Sequence, residues 1–222
     1  MSLVLRSTPS GRALGTQSRT KPQVRPHPVP FVPLDTPRLA LVALSLEHAP
    51  AVFAYASDPE ISRLVAWPRH ENIEASQRFV ARAMVGYAEG GYYEWGLIRR
   101  TDQAVLGNCG FGALDVTRGV GDIGYVLARP YWGQGYATEA AAAVLQFGFV
   151  QLGLRLIEAQ AFPENIASLR VMAKLGLRYR ETRPMSPEPG VSCPVCVWQI
   201  EREQWMGGHT RAQHDSASSC LL

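Results

Sequence analysis

Arg129-Pro130-Tyr131-Trp132-Gly133-Gln134-Gly135-Tyr136-Ala137-Thr138-Glu139-Ala140 joins a run that reads as a strand to an alanine-rich run that reads as a helix. Gly133 and Gly135 permit backbone angles that other residues avoid, and they let a ligand approach the main chain closely. The amides that open the following helix lack intrahelical partners and sit at the positive end of its dipole, so the turn suits a phosphate or pyrophosphate. Taken alone the signal is weak, because a ligand-free tight turn uses glycine in the same way. A dinucleotide-binding turn also competes, since Gly133 to Thr138 partly imitates G-x-G-x-x-G and Glu158 follows about 20 residues on. Context tells against it: Pro130-Tyr131-Trp132 separates strand from glycines, the third small residue is Thr138, and the strands before it read as antiparallel.

Upstream of the turn, Tyr92 to Arg99, Ala104 to Leu114 and Val120 to Leu127 are apolar runs broken by Thr101-Asp102 and Arg118-Gly119. Such short connections predict an antiparallel meander. Before them, Asn72 caps a predicted helix with Phe79, Val80, Ala83 and Tyr87 at helical spacing, ending at Gly90-Gly91. Leu39, Leu41 and Ala43 predict a short strand, Ser45 a cap for a helix through Ala51 to Ala56, and Asp58-Pro59 the restart of a helical turn. Downstream, Thr138 to Leu152 predicts a helix and Arg155 to Phe162 a strand, an order that implies local parallel pairing. A helix over Ile166 to Leu175 stops at Gly176, and strands near Leu177 to Thr182 and Val195 to Glu201 finish the domain. The fold class is α/β in the α+β sense: a mixed, mostly antiparallel central sheet with helices on both faces. No internal repeat is visible.

At 222 residues the chain accommodates one well-buried domain plus tails. Residues 1–34 are rich in Pro, Ser, Arg and Gly and read as a disordered leader, 35–205 as the domain, and 206–222 as a flexible tail. The basic, acid-poor start also resembles an organelle transit peptide, although its prolines favour the leader reading. Hydrophobic residues make up 46% and charged residues 18%, with no run of the roughly 18 apolar residues that a membrane helix needs. The net charge of +3 comes largely from the leader, where Arg6, Arg12, Arg19, Lys21 and Arg25 precede the first acid, Asp35. The nearly neutral remainder lacks the footprint of a nucleic-acid binder. Cys109, Cys193, Cys196 and Cys220 are few, and with no secretory signal evident they imply reduced thiols and a cytoplasmic setting.

Gly124-Tyr125-Val126-Leu127 followed by Tyr131 to Ala140 resembles the signature of the GCN5-related N-acetyltransferases, closest to their ribosomal-protein N-terminal acetyltransferase branch. The resemblance runs in order from about Thr36 to Trp205, through Asn165-Ile166-Ala167-Ser168, Lys174-Leu175-Gly176-Leu177 and a closing strand with Trp198. It departs from the Q/R-x-x-G-x-G/A pattern at Trp132, which members of that branch often carry. The resemblance implies acetyl-CoA as cosubstrate, no metal, and an amine acceptor. The amides of Gln134, Gly135, Tyr136, Ala137 and Thr138 would hold the pyrophosphate. Main-chain groups of Tyr125, Val126 and Leu127 would pair with the pantetheine arm as an added strand. The thioester would lie where this strand splays from Ile157 to Ala161, with an N–H near Val126 polarising its carbonyl.

Acetyl transfer needs a neutral amine, stabilisation of an oxyanion and a proton for the departing thiolate. Ser168, the family's serine at this motif, is the candidate acid, with Asn165 positioning coenzyme or a water. Equally, Asn165 is an ordinary cap and Ser168 a first-turn residue. Asp122 and Glu94 are the candidate bases, each also readable as a solvent-facing acid. Tyr125, Trp95 and Trp67 are candidates for the acceptor pocket or for the core. An α-amine, with pKa near 8, needs less help than lysine, near 10.4.

Cys193-x-x-Cys196 with His209 and His214 satisfies zinc-finger spacing. Strand parity opposes it, because residues 193 and 196 tend to point to opposite faces. No Cys–His nucleophile pair is evident, so direct attack in a ternary complex is expected. The acceptor reads as a ribosomal or other protein N-terminus. A small amine such as an aminoglycoside or polyamine remains the alternative, as does a coenzyme-binding regulatory module without turnover. Neither nucleic acid nor membrane is expected as a partner, and the state is monomer or homodimer.

Overall fold

β1 (Leu34–Asp35), β2 (Leu39–Val42), β3 (Glu94–Arg99), β4 (Val105–Asp115), β5 (Val120–Leu127), β6 (Leu156–Ala161), β7 (Arg178–Met185) and β8 (Cys193–Glu201) form one sheet in the order β1-β2-β3-β4-β5-β6-β8-β7. This computed structural model describes residues 29–186 and 192–207. Every pairing is antiparallel except that of β5 with β6. The expected meander and the single parallel crossover are both present.

Between β5 and β6 runs α4 (Tyr136–Val150), whose Ala140, Ala141, Val144 and Leu145 are fully buried against one sheet face. Small residues let the helix approach closely. At Gly148 a Cβ would fall 2.7 Å from the Phe111 ring. Trp95, Leu97, Leu106 and Ile157 complete this core from the sheet, and burying each aliphatic side chain stabilises by about 1.5–3 kcal/mol. The opposite face carries α1 (Ala49–Ala56), the short α2 (Pro59–Ser62) and α3 (Ile73–Glu89). Val52, Tyr55, Ile61, Val80 and Ala83 pack there around Leu44 and Val126. Asp58 and Asn72 cap α2 and α3 by accepting from the Glu60 and Ala75 amides. Gly90 and Gly91, at φ 79° and 80°, stop α3. Ser45 differs from expectation: it opens a 3-10 turn at Leu46–His48, and α1 follows from that turn.

The chain is already packed ahead of residue 34, where the leader was expected to end. Val29, Phe31 and Leu34 pack against the core, and Phe31 lies between the rings of Tyr87 and Trp95, at 4.5 and 5.1 Å. The cause is polar as well as apolar. Trp95 Nε1–H donates to the Val32 carbonyl at 2.8 Å, and the Tyr93 hydroxyl donates to that of Val29. Buried aromatic donors require acceptors, and the proline-spaced backbone of this segment supplies them. At the far end a helical segment over 202–207 buries Trp205, whose indole donates to Gln146 at 2.9 Å. Among the described residues no helix is long and apolar enough to cross a membrane.

Candidate active site

β5 and β6 pair only at Val120↔Leu156, Gly121↔Ile157 and Asp122↔Glu158. Beyond that point β6 stays with β8 and β5 with β4, so the two strands diverge. A register shift in the β4–β5 ladder between Phe111 and Ala113 lies at the same level. Bulges increase local twist, which accounts for the fork opening there.

The ladder decides which main-chain groups face the gap. The Ala128 amide donates to the Leu106 carbonyl at 2.8 Å, and antiparallel alternation from that bond turns the Val126 and Gly124 amides toward β4. Tyr125 and Leu127 therefore present N–H and C=O groups to the gap. The donor expected near Val126 is therefore not the Val126 amide itself, which belongs to the sheet; the gap-facing amides are those of its two neighbours. Trp132 Nε1–H donates to the Leu127 carbonyl at 2.7 Å, so the indole folds back on the strand.

At the glycine turn Gly133 and Gly135 have φ of 73° and 82°, and a Cβ on Gly133 would meet nothing within 4 Å. Gly135 is the N-cap of α4 and has no side chain to occupy the first-turn amides. The Tyr136, Ala137 and Thr138 amides are thus available to an anion. Gln134 contributes only its amide, since its side chain donates to Pro130 and its carbonyl accepts from Arg38. A cleft of ≈ 360 Å³ connects this turn with Tyr125 and with Ser168, Arg170 and Lys174 of α5 (Ile166–Lys174). Uncapped amides, two positive-φ glycines, a strand-wide gap and two cations fit the diphosphate and extended arm of an acyl-coenzyme A.

A second cleft, of ≈ 270 Å³, is lined by Gly110, Gly112 and Gly124 together with Glu94, Asp122 and Trp67. The two clefts share Tyr125, Val126, Asn165 and Ser168. At that junction the Tyr125 hydroxyl lies 3.0 Å from Ser168 Oγ. Burial pushes the Tyr125 phenol well above its ordinary pKa, with the Ser168 hydrogen bond opposing. Asn165 caps α5 by accepting from the Ser168 amide at 3.1 Å, while its Nδ2 donates to Leu64 at 3.2 Å. Both ends of that side chain therefore brace the junction, which favours the cap reading over contact with coenzyme.

Burial raises the Glu94 carboxyl to about 7, against a hydrogen bond from Asn108 that lowers it. The Tyr55 hydroxyl donates to Asn108 Oδ1 at 2.6 Å, which leaves the Asn108 amide to donate to Glu94. Burial, then the negative charge of Glu158, raises Asp122 to about 7, with Arg183 and a 3.1 Å bond from Gln160 opposing. Both acids line the second cleft. Trp95 does not: it is wholly buried in the core on α4's side of the sheet. Asn108, Tyr55, Gln160, Arg170 and Lys174 were missed from sequence. A lone Asn within the apolar Val105–Phe111 run was the one local signal.

Cys193 donates toward the Met185 carbonyl at 3.6 Å and Cys196 lies 3.7 Å from Thr182 Oγ1. Among the described residues no group of three or more His, Cys, Asp or Glu is placed to hold a metal, and His209 and His214 lie outside them. Cys109 is buried, with its thiol pushed up by desolvation and by Glu94, which makes it a poor nucleophile.

A family profile described as "Acetyltransferase (GNAT) domain" matches residues 38–178. An uncharacterised N-acetyltransferase of Bacillus licheniformis is 32% identical over 65% of this chain and 82% of its own length. The Aspergillus fumigatus FsC-acetyl coenzyme A-N(2)-transacetylase is 30% identical over 78% of this chain and 77% of its own. A GNAT-family acetyltransferase structure from Bacillus anthracis superposes with TM-score 0.69 at 26% identity, over 78% of this chain and 99% of that one. The fold is also that of the ribosomal L7/L12 α-N-protein acetyltransferase RimL, solved with coenzyme A (TM-score 0.65, 17% identity, 79% and 98% covered). With the forked sheet, the glycine turn and these likenesses in agreement, the chain belongs to the GNAT acetyltransferase family and is an acetyl-CoA-dependent N-acetyltransferase.

Proposed function

We propose that the acceptor is the α-amine of a protein or peptide, acetylated by direct attack within a ternary complex in the cytosol. The observation that carries this reading is the pair of carboxyls, Glu94 and Asp122, raised to about 7 in one glycine-lined cleft. An α-amine has a pKa near 8 and lysine one near 10.4, so bases of this strength match the former. The resemblance to the ribosomal-protein branch, and the fold shared with RimL, support the same choice. The described cysteines, all free, accord with a reducing compartment. Residues 29–207 form the catalytic domain in this reading.

The amine nitrogen attacks the thioester carbonyl carbon, the C–S bond breaks, and the amine proton passes through water to Glu94 or Asp122. Acetyl-CoA supplies the activated acyl group. Gap-facing amides of Tyr125 and Leu127 stand where the carbonyl oxygen gains charge. Ser168, hydrogen-bonded to the Tyr125 phenol, passes a proton to the departing sulfur and is reprotonated from water. A thiolate whose parent pKa is about 8.5 leaves readily, so a weak acid suffices.

A small-molecule acceptor is the second reading, favoured by the relative named as a transacetylase of FsC. Incubating the protein with acetyl-CoA, peptides beginning with Ser, Ala or Thr, aminoglycosides and polyamines, then identifying products by mass spectrometry, separates the two. Acetylation confined to the small amines would overturn the protein-terminus reading.

A further inference from the structure

Glu139 lies in the first turn of α4, one turn beyond Gly135. A bare carboxylate there would repel the diphosphate assigned to the neighbouring amides. It is not bare. The Thr36 hydroxyl donates to Glu139 Oε1 at 2.6 Å, the Arg38 amide donates to the same oxygen at 2.8 Å, and Arg38 Nε–H donates to Oε2 at 2.6 Å. Burial alone would raise Glu139, but these bonds and the guanidinium charge hold its pKa below the ordinary value, so it is ionised at neutral pH.

The same guanidinium also holds the turn. Its Nη1–H donates to the Gln134 carbonyl at 2.9 Å, and its carbon lies 4.4 Å above the Tyr136 ring centre. Its Nη2 sits 3.4 Å from the Cβ position that Gly135 leaves empty. Arginine carries five N–H donors in a rigid fork, of which Nε and Nη1 use two here. Trp132 stands where the Q/R-x-x-G-x-G/A pattern has Gln or Arg, and its indole is committed to Leu127. Arg38, immediately before β2, is the cation that reaches the turn instead.

We propose that Arg38 is a positioning residue of the coenzyme site: it cancels the charge of Glu139 and, through the Gln134 carbonyl, fixes the glycine turn with its amides toward the diphosphate. The proposal rests on the turn being that diphosphate site. Thr36 and Arg38 are about 100 residues from Glu139 in sequence, so this contact also fastens the first strands to the catalytic helix.

Coenzyme A and pantetheine, which lacks the diphosphate, are titrated calorimetrically into the wild type, Arg38→Ala, Glu139→Gln and the double variant, with folding checked by melting. At close range in a partly exposed site, the uncovered charge should weaken coenzyme A by about tenfold at low salt in Arg38→Ala. Pantetheine should be unaffected, and the double variant should recover most of the loss. Glu139→Gln alone should bind coenzyme A at least as tightly as wild type. Should Arg38→Ala fail to fold, Glu139→Gln still decides: tenfold weaker binding of coenzyme A by it would overturn the charge argument. So would an Arg38→Ala variant that binds coenzyme A normally, or a double variant no better than Arg38→Ala. Equal affinity of the wild type for coenzyme A and pantetheine would instead remove the turn as diphosphate site, and the proposal with it.

Discussion

The Tyr125 hydroxyl donates to the Ser168 carbonyl at 3.1 Å and lies 3.0 Å from Ser168 Oγ, so one phenol ties β5 to α5 where the two clefts meet. Because burial keeps this phenol protonated throughout the usual assay range, the pair is a donor network and not a base. Ser168→Ala and Tyr125→Phe should each lower kcat by about ten- to a hundredfold, at the low end of general-acid effects because a thiolate leaves easily. If the two act as a unit, the double variant should lose little more than either single one. Steady-state kinetics with saturating acetyl-CoA read this directly. Full additivity would separate the two residues, and unchanged kcat in both would remove them from proton transfer.

Glu94 and Asp122, both near 7, make a pH dependence. A base works deprotonated, so kcat/KM should rise as pH increases through about 7, with the free α-amine adding its own rise near 8. Glu94→Gln or Asp122→Asn, whichever removes the working base, should lower kcat/KM and erase the inflection near 7. Profiles of both variants superimposing on wild type would eliminate both acids.

The linkage of the same groups to folding has a definite sign. Each folded pKa lies above its unfolded value, so the folded state binds the proton more tightly. That stabilisation is fully present at low pH and is lost as pH climbs from about 4.5 to about 7 for Glu94. Glu94→Gln cannot ionise and should escape this loss. The melting temperature of Glu94→Gln relative to wild type should therefore become more favourable across that window and level off above it. A constant offset from pH 4 to 8 would mean that Glu94 is not perturbed by its surroundings.

The glycine turn, the meander and the strand-helix-strand unit were legible because each is local: glycine positions, short connections and apolar periodicity lie within a few residues of one another. Val120 to Leu127 matches β5 at both ends for that reason. What remained hidden depends on pairing across the sheet. Neither the register that turns Val126 inward and Tyr125 outward nor the bulge near Phe111 has a marker in the string. Contacts such as Arg38 with Glu139, Tyr55 with Asn108 and Tyr93 with Val29 join distant segments, and only the folded chain brings them together. The packing of Val29 to Leu34 had no marker either, since composition records the absence of periodicity but not the acceptors a backbone supplies.

The cleft proposed for the acceptor should be open to closure without loss of coenzyme binding. A Cβ on Gly124 would meet nothing within 4 Å, and the backbone there is in an ordinary strand conformation. Gly124→Val should therefore fold normally while filling the space beside Glu94 and Asp122, lowering kcat/KM for the amine by at least about tenfold through lost alignment. Coenzyme A affinity and melting temperature should stay near wild type. Gly110→Ala is the contrasting control, because its Cβ would fall 2.3 Å from the Tyr93 carbonyl and force the β3–β4 ladder apart. A Gly124→Val enzyme with full activity would place the amine elsewhere.

Gly135 separates backbone strain from ligand repulsion. Any side chain there must adopt φ 82°, costing about 1–2 kcal/mol for an L-residue, and its Cβ would touch Arg38 Nη2 at 3.4 Å. Gly135→Ala and Gly135→Glu share that burden and should melt at similar temperatures below wild type. Only the glutamate adds an anion beside the open amides of Tyr136, Ala137 and Thr138. Coenzyme A binding should therefore fall modestly in Gly135→Ala and by a further tenfold or so in Gly135→Glu, the order expected for one added charge a few ångströms from another. Raising salt should narrow the gap between the two variants, because screening acts on charge repulsion and leaves strain unaltered. Equal affinities for both variants at low salt would mean that the diphosphate does not rest at the head of α4.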